Sequence, residues 1–267
     1  MNKTYIIAEI GINHMGNIDK AKKLIDAASR SGVDAVKFQT YITEKRAPKD
    51  NPQIFDILKK CELPFECFKE LKNYSDSKNI EFFSTPFDQE SVDYLKSMGI
   101  TKHKIASFDV TNNSLLEYIS NNSDNIIMST GMANIDEVNK AYKTLKKGKV
   151  KNISLLHCIS AYPTKEIDAN LNVIKTLKEN FPQCIIGHSD HTPDIKVPLY
   201  AVACGAEIIE KHFMIEPDCV DAPVSINEEQ MSNLVLEVRL LEKIMGKESL
   251  GMTKAQEGTK IFRRYGR

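Results

Sequence analysis

Ile186-Gly-His-Ser-Asp-His-Thr192 and Glu210-Lys-His-Phe213 each close an apolar, β-like run, and the two stretches lie about twenty residues apart. That spacing leaves room for one helix between two strands, the unit that makes a parallel pair. The unit recurs upstream. Runs of this kind occupy residues 4–10, 35–40, 81–86, 102–107, 125–130, 153–158, 184–190 and 207–213. They are rich in Ile, Val and Phe and end in Gly, Pro, Ser or Asp, as buried parallel strands do.

Amphipathic segments separate them. Residues 18–31 carry Ala21, Leu24, Ile25 and Ala28 at helical spacing, with Gly32 as a stop. Residues 88–98, 135–146, 171–181 and 228–244 follow the same pattern. Eight strand–helix units predict an α/β fold, a (β/α)8 TIM barrel, and 267 residues suit a single barrel domain of about 250. A doubly wound dinucleotide fold would need a glycine-rich turn after the first strand and an acidic residue on the second, and neither is present. Only residues 41–64 read as a long loop, with Pro48, Pro52 and the basic groups Lys45, Arg46 and Lys49 poised to close over a site.

Lys+Arg and Asp+Glu both number 36, so the formal net charge is zero. That balance argues against a nucleic-acid partner or a polybasic membrane contact. No apolar stretch approaches the roughly 20 residues that span a bilayer. The N-terminus shows no leader pattern, and none of the six cysteines forms a CxxC pair. The expectation is a cytoplasmic chain with reduced thiols.

In a barrel of this kind the active site lies at the C-terminal ends of the strands. Glu9 closes the first strand; Lys37 and Gln39 share one face of the second. The fourth supplies Lys104, Ser107 and Asp109, and the fifth Ser129-Thr-Gly131. The sixth leads to Ser160 and Tyr162; the last two deliver Ser189, His191 and His212. A single Ser or Thr at such a place is usually a helix cap, and a histidine on an apolar strand, such as His157, is usually a satisfied core residue. The set is harder to dismiss. Lysines within strands cost desolvation unless an anion meets them. Lys37 and Lys104 with Ser107, Ser129 and Ser189 make an anion cradle, while His191 and His212 suit a divalent cation with open positions. Glu9 and Asp109 add carboxylates for acid–base work.

At these residues the chain resembles the sialic acid (nonulosonate) synthases. The matching motifs are Ala8-Glu-Ile-Gly-Ile-Asn-His14, Val36-Lys-Phe-Gln-Thr40, Phe83-Ser-Thr-Pro-Phe87, Lys104-Ile-Ala-Ser107 and Ser129-Thr-Gly-Met132. They continue with His157-Cys158, Ala161-Tyr-Pro163, Ser189-Asp-His-Thr192 and Glu210-Lys-His-Phe213, all in family order. The resemblance implies condensation of phosphoenolpyruvate with an N-acetylated sugar aldehyde such as N-acetylmannosamine. It implies Mn²⁺ or Mg²⁺ on His191 and His212, and phosphoenolpyruvate on Lys37, Lys104, Ser107, Ser129, Tyr162 and Ser189. Glu9, Gln39 and Asp221 would meet the sugar or the attacking water, and a homodimer is the expected assembly.

The chain departs from the family pattern with Ser160 where Asn is usual and Asp109 where Glu is usual. The segment 214–220 is short and carries Pro217 and Cys219. A C-terminal antifreeze-like domain is expected to be absent. Two alternatives stay open: a related synthase with a pseudaminic-, legionaminic- or octulosonate-type acceptor, and a catalytically silent sugar-binding barrel.

Overall fold

The computed structural model describes residues 3–48, 50–247 and 249–265. Its strands are β1 (Tyr5–Gly11), β2 (Ala35–Thr40), β3 (Glu81–Pro86) and β4 (Lys102–Ile105), followed by β5 (Asn125–Ser129), β6 (Asn152–Cys158), β7 (Ile185–Asp190) and β8 (Ile208–His212). Each pairs in parallel with the next, and β8 returns to β1 with Tyr5 opposite Ile208 and Glu9 opposite His212. The result is the closed (β/α)8 barrel that the strand–helix rhythm predicts.

Helices ring the barrel: α1 (Ile18–Arg30), α2 (Thr43–Arg46), α3 (Pro52–Cys61), α4 (Phe65–Ser77), α5 (Gln89–Ser97), α6 (Asn113–Asn122), α7 (Ile135–Lys146), α8 (Val173–Asn180), α9 (Lys196–Ala203) and α10 (Glu228–Met245). Their starts follow from local chemistry. Asn17 accepts from the Lys20 amide to cap α1, and Asn134 with Glu137 and Asn227 with Gln230 form capping boxes on α7 and α10. The apolar stripes, such as Ala21, Leu24, Ile25 and Ala28 of α1, pack on the outward strand residues to make the main core.

One expectation needs correction. Residues 41–64 are not a long loop but hold α2 and α3. Pro52 stands in the first turn of α3, behind the cap Asn51, where a missing N–H costs nothing. Of the two prolines that read as loop markers, Pro52 therefore marks a helix start, while Pro48 lies in the short connection between α2 and α3. No helix among the described residues is long and apolar enough to cross a membrane.

Candidate active site

Strand register assembles the site before any side chain is considered. Glu9 stands opposite both Lys37 and His212, and Ser189 stands between Cys158 and Glu210. With a period of two, these residues share the inward face at the C-terminal mouth. A bulge between Glu9 and Gly11 turns the chain out of β1. Gly11 has φ +56°, and a Cβ there would lie 3.1 Å from Glu9 Oε1 and 3.3 Å from Asp221 Oδ2. The position needs glycine for both its backbone and its surroundings.

The mouth opens into a pocket. It is lined by eleven of the residues singled out in the sequence: Glu9, Lys37, Gln39, Lys104, Ser107, Ser129, Tyr162, Ser189, His191, His212 and Asp221. Lys37 Nζ lies 2.8 Å from Glu9 Oε2 and donates to Thr85 Oγ1 at 2.8 Å. Lys104 Nζ donates to Ser129 Oγ at 2.6 Å and lies 3.5 Å from Glu210 Oε1. Ser189 Oγ donates to the same carboxylate oxygen at 2.9 Å. Both lysines and both glutamates are buried.

Burial pushes the Glu210 carboxyl up, but Lys104 and Lys37, helped by the Ser189 hydroxyl, override it and hold the group down at about 2. Burial raises Glu9 above its ordinary range, against the pull of Lys37 and with the push of Glu210. Burial also lowers Lys104. Two carboxyls of one chemistry are thus driven in opposite directions, Glu210 downward and Glu9 upward.

Across the pocket the His191 and His212 rings lie 5.3 Å apart, and the Tyr162 ring leans on His191 at 4.1 Å. Burial, then the neighbouring His212, pulls His191 down to about 4. Burial lowers His212 too, but Asp221 outweighs it and raises the group. Nδ1 of His191 donates to the Ile159 carbonyl at 2.7 Å, and Nδ1 of His212 lies 3.2 Å from Asp221 Oδ2. Each ring therefore has one nitrogen braced from behind and the other turned to the pocket, as in imidazoles that hold a metal. This donor set fits a divalent cation that takes its remaining ligands from water or substrate. Among the described residues no group of three His, Cys, Asp or Glu side chains forms a cage.

Two expected site residues lie outside the lining. Asp109 ends the short turn Ser107–Asp109 and accepts from Asn112 Nδ2 at 3.0 Å, so its carboxylate faces the start of α6. Ser160 packs against Gly131, where a Cβ would come within 2.4 Å of its Oγ. Gly131 in turn donates its N–H to Ser107 Oγ at 3.0 Å, which requires that close approach. Of the basic groups expected over the mouth, Lys45 pairs outward with Glu90, Arg46 enters the pocket, and Lys49 lies outside the described residues.

The sequence reading left several lining residues unassigned. Glu210 had a signal, since it precedes His212 by two residues on one strand face. Thr85 and Cys158 are legible only from register. His14, His103 and His157 are core residues: the first accepts from Gly16 N–H, the second meets Ser123 Oγ at 2.6 Å, and the third meets the Ala169 carbonyl at 2.7 Å.

The family model for the NeuB family matches residues 24–250. An N,N'-diacetyllegionaminic acid synthase of Campylobacter jejuni is 40% identical over 264 residues, covering 92% of this chain and 78% of the relative. An uncharacterized protein of Methanocaldococcus jannaschii is 44% identical over 245 residues, covering 91% and 72%. The crystal structure of an N-acetylneuraminic acid synthetase from Leptospira borgpetersenii superimposes with a TM-score of 0.94 at 39% identity, covering 98% of this chain and 92% of that one.

Proposed function

The chain belongs to the NeuB family, and from that membership we propose that it condenses phosphoenolpyruvate with an N-acetylated amino-sugar aldehyde to give a nonulosonate and phosphate. The observation that carries this reading is the buried cluster of Lys37, Lys104, Glu9 and Glu210 facing the His191–His212 pair across one pocket. The two ammonium groups are enclosed together with hydroxyl donors from Ser129 and Ser189, so the cluster suits an anion that brings its own hydrogen-bond acceptors.

In this reading Lys37, Lys104, Ser107, Ser129 and Ser189 bind the phosphate and carboxylate of phosphoenolpyruvate. Its terminal carbon attacks the aldehyde carbon of the sugar, and the aldehyde oxygen takes a proton. Water adds to the carbon that carried the phosphate ester, and the carbon–oxygen bond to phosphate breaks. Glu9, whose carboxyl is raised, orients that water and accepts its proton. The lysines neutralise the departing phosphate. Gln39 donates to Glu9 Oε1 at 3.1 Å and, with Asp221, faces the sugar hydroxyls. Tyr162 covers His191 and restricts water. His191 and His212 would hold a Mn²⁺ or Mg²⁺ ion, which when bound supplies a Lewis acid for the aldehyde oxygen. Holding both reactants in one orientation contributes much of the rate.

An N-acetylated acceptor is supported by the Campylobacter relative, whose product is named as a diacetylated sugar acid. The test is phosphate release from phosphoenolpyruvate with N-acetylmannosamine, a diacetamido hexose and arabinose 5-phosphate, each with and without Mn²⁺. Release with the acetamido sugars only is expected. Absence of release with all three acceptors rejects the reading.

A further inference from the structure

Arg46 enters the mouth from beyond the strand ends. It closes α2 and lines the pocket. Its guanidinium carbon lies 3.7 Å from the centre of the Phe87 ring and 4.5 Å from that of Tyr41. These rings belong to a small apolar cluster separate from the main core, with Ile12, Tyr41, Leu58 and Cys61 buried and Phe87 packed against them. Stacking of this kind orients the guanidinium plane while leaving its N–H groups available. Nη1 is buried and has no hydrogen-bond partner among the described residues. A buried donor left in that state is costly, more so on a charged group.

The surroundings say what kind of oxygen would meet it. Arg46 shares the pocket lining with Asp221 and Glu9, yet no carboxylate among the described residues reaches ion-pair distance from its guanidinium. Glu9 and Asp221 line the pocket beside this guanidinium, and their carboxylates disfavour a phosphate or carboxylate on the acceptor. The lysines, which do suit an anion, are taken up by phosphoenolpyruvate in the synthase reading and not by the acceptor. A carbonyl oxygen is uncharged and only accepts, so it satisfies a donor without adding charge. Phe87 and Ile12 line the same pocket and offer an apolar wall beside it.

We propose that Arg46 is the acceptor-specificity residue of this site, donating Nη1 to the acyl carbonyl of an uncharged N-acylamino sugar whose methyl group packs on Phe87 and Ile12. The assignment deepens the synthase reading and rests on it for the identity of the second reactant.

The experiment compares wild type with Arg46→Lys and Arg46→Met. Acceptors are N-acetylmannosamine, mannose and N-acetylmannosamine 6-phosphate, with phosphate release as one readout. Saturation-transfer NMR of N-acetylmannosamine, which needs no turnover, is the second. Circular dichroism melts check that both variants fold; the lysine variant keeps the charge and loses only the planar fork. Both variants should raise the N-acetylmannosamine KM by about 10- to 100-fold, the loss of one charge-assisted hydrogen bond, with the phosphoenolpyruvate KM changed by less than about twofold. The preference for N-acetylmannosamine over mannose should collapse along with the NMR signal. Unchanged acyl preference and NMR signal in both variants overturn the proposal, as does a wild type that prefers the 6-phosphate. A wild type that releases no phosphate but loses sugar binding in both variants would reject the synthase reading and leave Arg46 as the sugar-binding residue.

Discussion

β7 and β8 bury charge on both of their faces, and the two faces are built differently. On the face turned to the helices, Lys211 is fully enclosed and donates to Asp190 Oδ2 at 2.7 Å and to the Thr192 carbonyl. Asp190 is also bonded by His188 Nε2 at 3.2 Å and by the amide and hydroxyl of Thr192 at 3.1 and 2.7 Å. On the axial face, one residue along each strand, Glu210 Oε2 is buried without a hydrogen bond among the described residues. Lys37 lies 3.8 Å from that Glu210 oxygen, too far to bond it. A closed network holds strands in place, whereas an open one of equal burial keeps capacity for a ligand.

Removing a member of the closed network should have the largest effect. Lys211→Met leaves Asp190 buried without its counter-charge, and urea unfolding should show a loss of about 3–5 kcal/mol. A loss below about 1 kcal/mol would break the comparison. The pH dependence sharpens it. Burial raises Asp190, but His188 and Lys211 outweigh it and hold the carboxyl at about 2. A depressed carboxyl stabilises the fold above its unfolded value of about 3.9 and loses that contribution as pH falls through the folded one. The acid limb of the stability curve should therefore move to higher pH in the variant.

The open face should respond in function instead. His191→Ala should lower metal-dependent turnover by about 10²–10³-fold, roughly 3–4 kcal/mol, as chelation of wild type should, with little change in unfolding midpoint. Wild-type turnover after chelation would separate the histidine pair from the chemistry. Lys104→Ala should weaken phosphoenolpyruvate binding in calorimetry at least tenfold, by about 1.5–3 kcal/mol. Unchanged affinity in both the Lys104→Ala and Lys37→Ala proteins would reject the anion cradle. Gly11→Ala should cost least, about 1–2 kcal/mol for a side chain at positive φ. Its methyl group also presses on Glu9 and Asp221. A fall in kcat larger than the thermal shift explains would show that the bulge positions those carboxylates.

How far each feature could be read depends on its physical range. The barrel was legible because strand and helix periods are local: β2 and β3 span the residues predicted for them, and α7 does too. The stretch 41–64 was misread because proline marks loops and helix starts alike, and only the Asn51 cap in place distinguishes them. Residues that line the pocket were legible through alternation along a strand or just past its end, as Lys37 with Gln39 and Ser189 with His191. Asp109 and Ser160 were not, since each follows its strand by a few residues and its direction is set by a neighbouring turn.

The amino-acid sequence by itself determined the (β/α)8 architecture, the level at which the pocket opens and the identity of many groups that line it. Periodicity and strand-end composition carry that information within a few residues of each position. Only the tertiary structure decided which buried charges are closed and which are open. It paired Lys211 with Asp190, set Lys104 beside Glu210, and brought Arg46 over Phe87 with an N–H unspent. Those outcomes depend on closing β8 against β1 and on packing α2 over the mouth, contacts between residues far apart in the chain that no local pattern encodes.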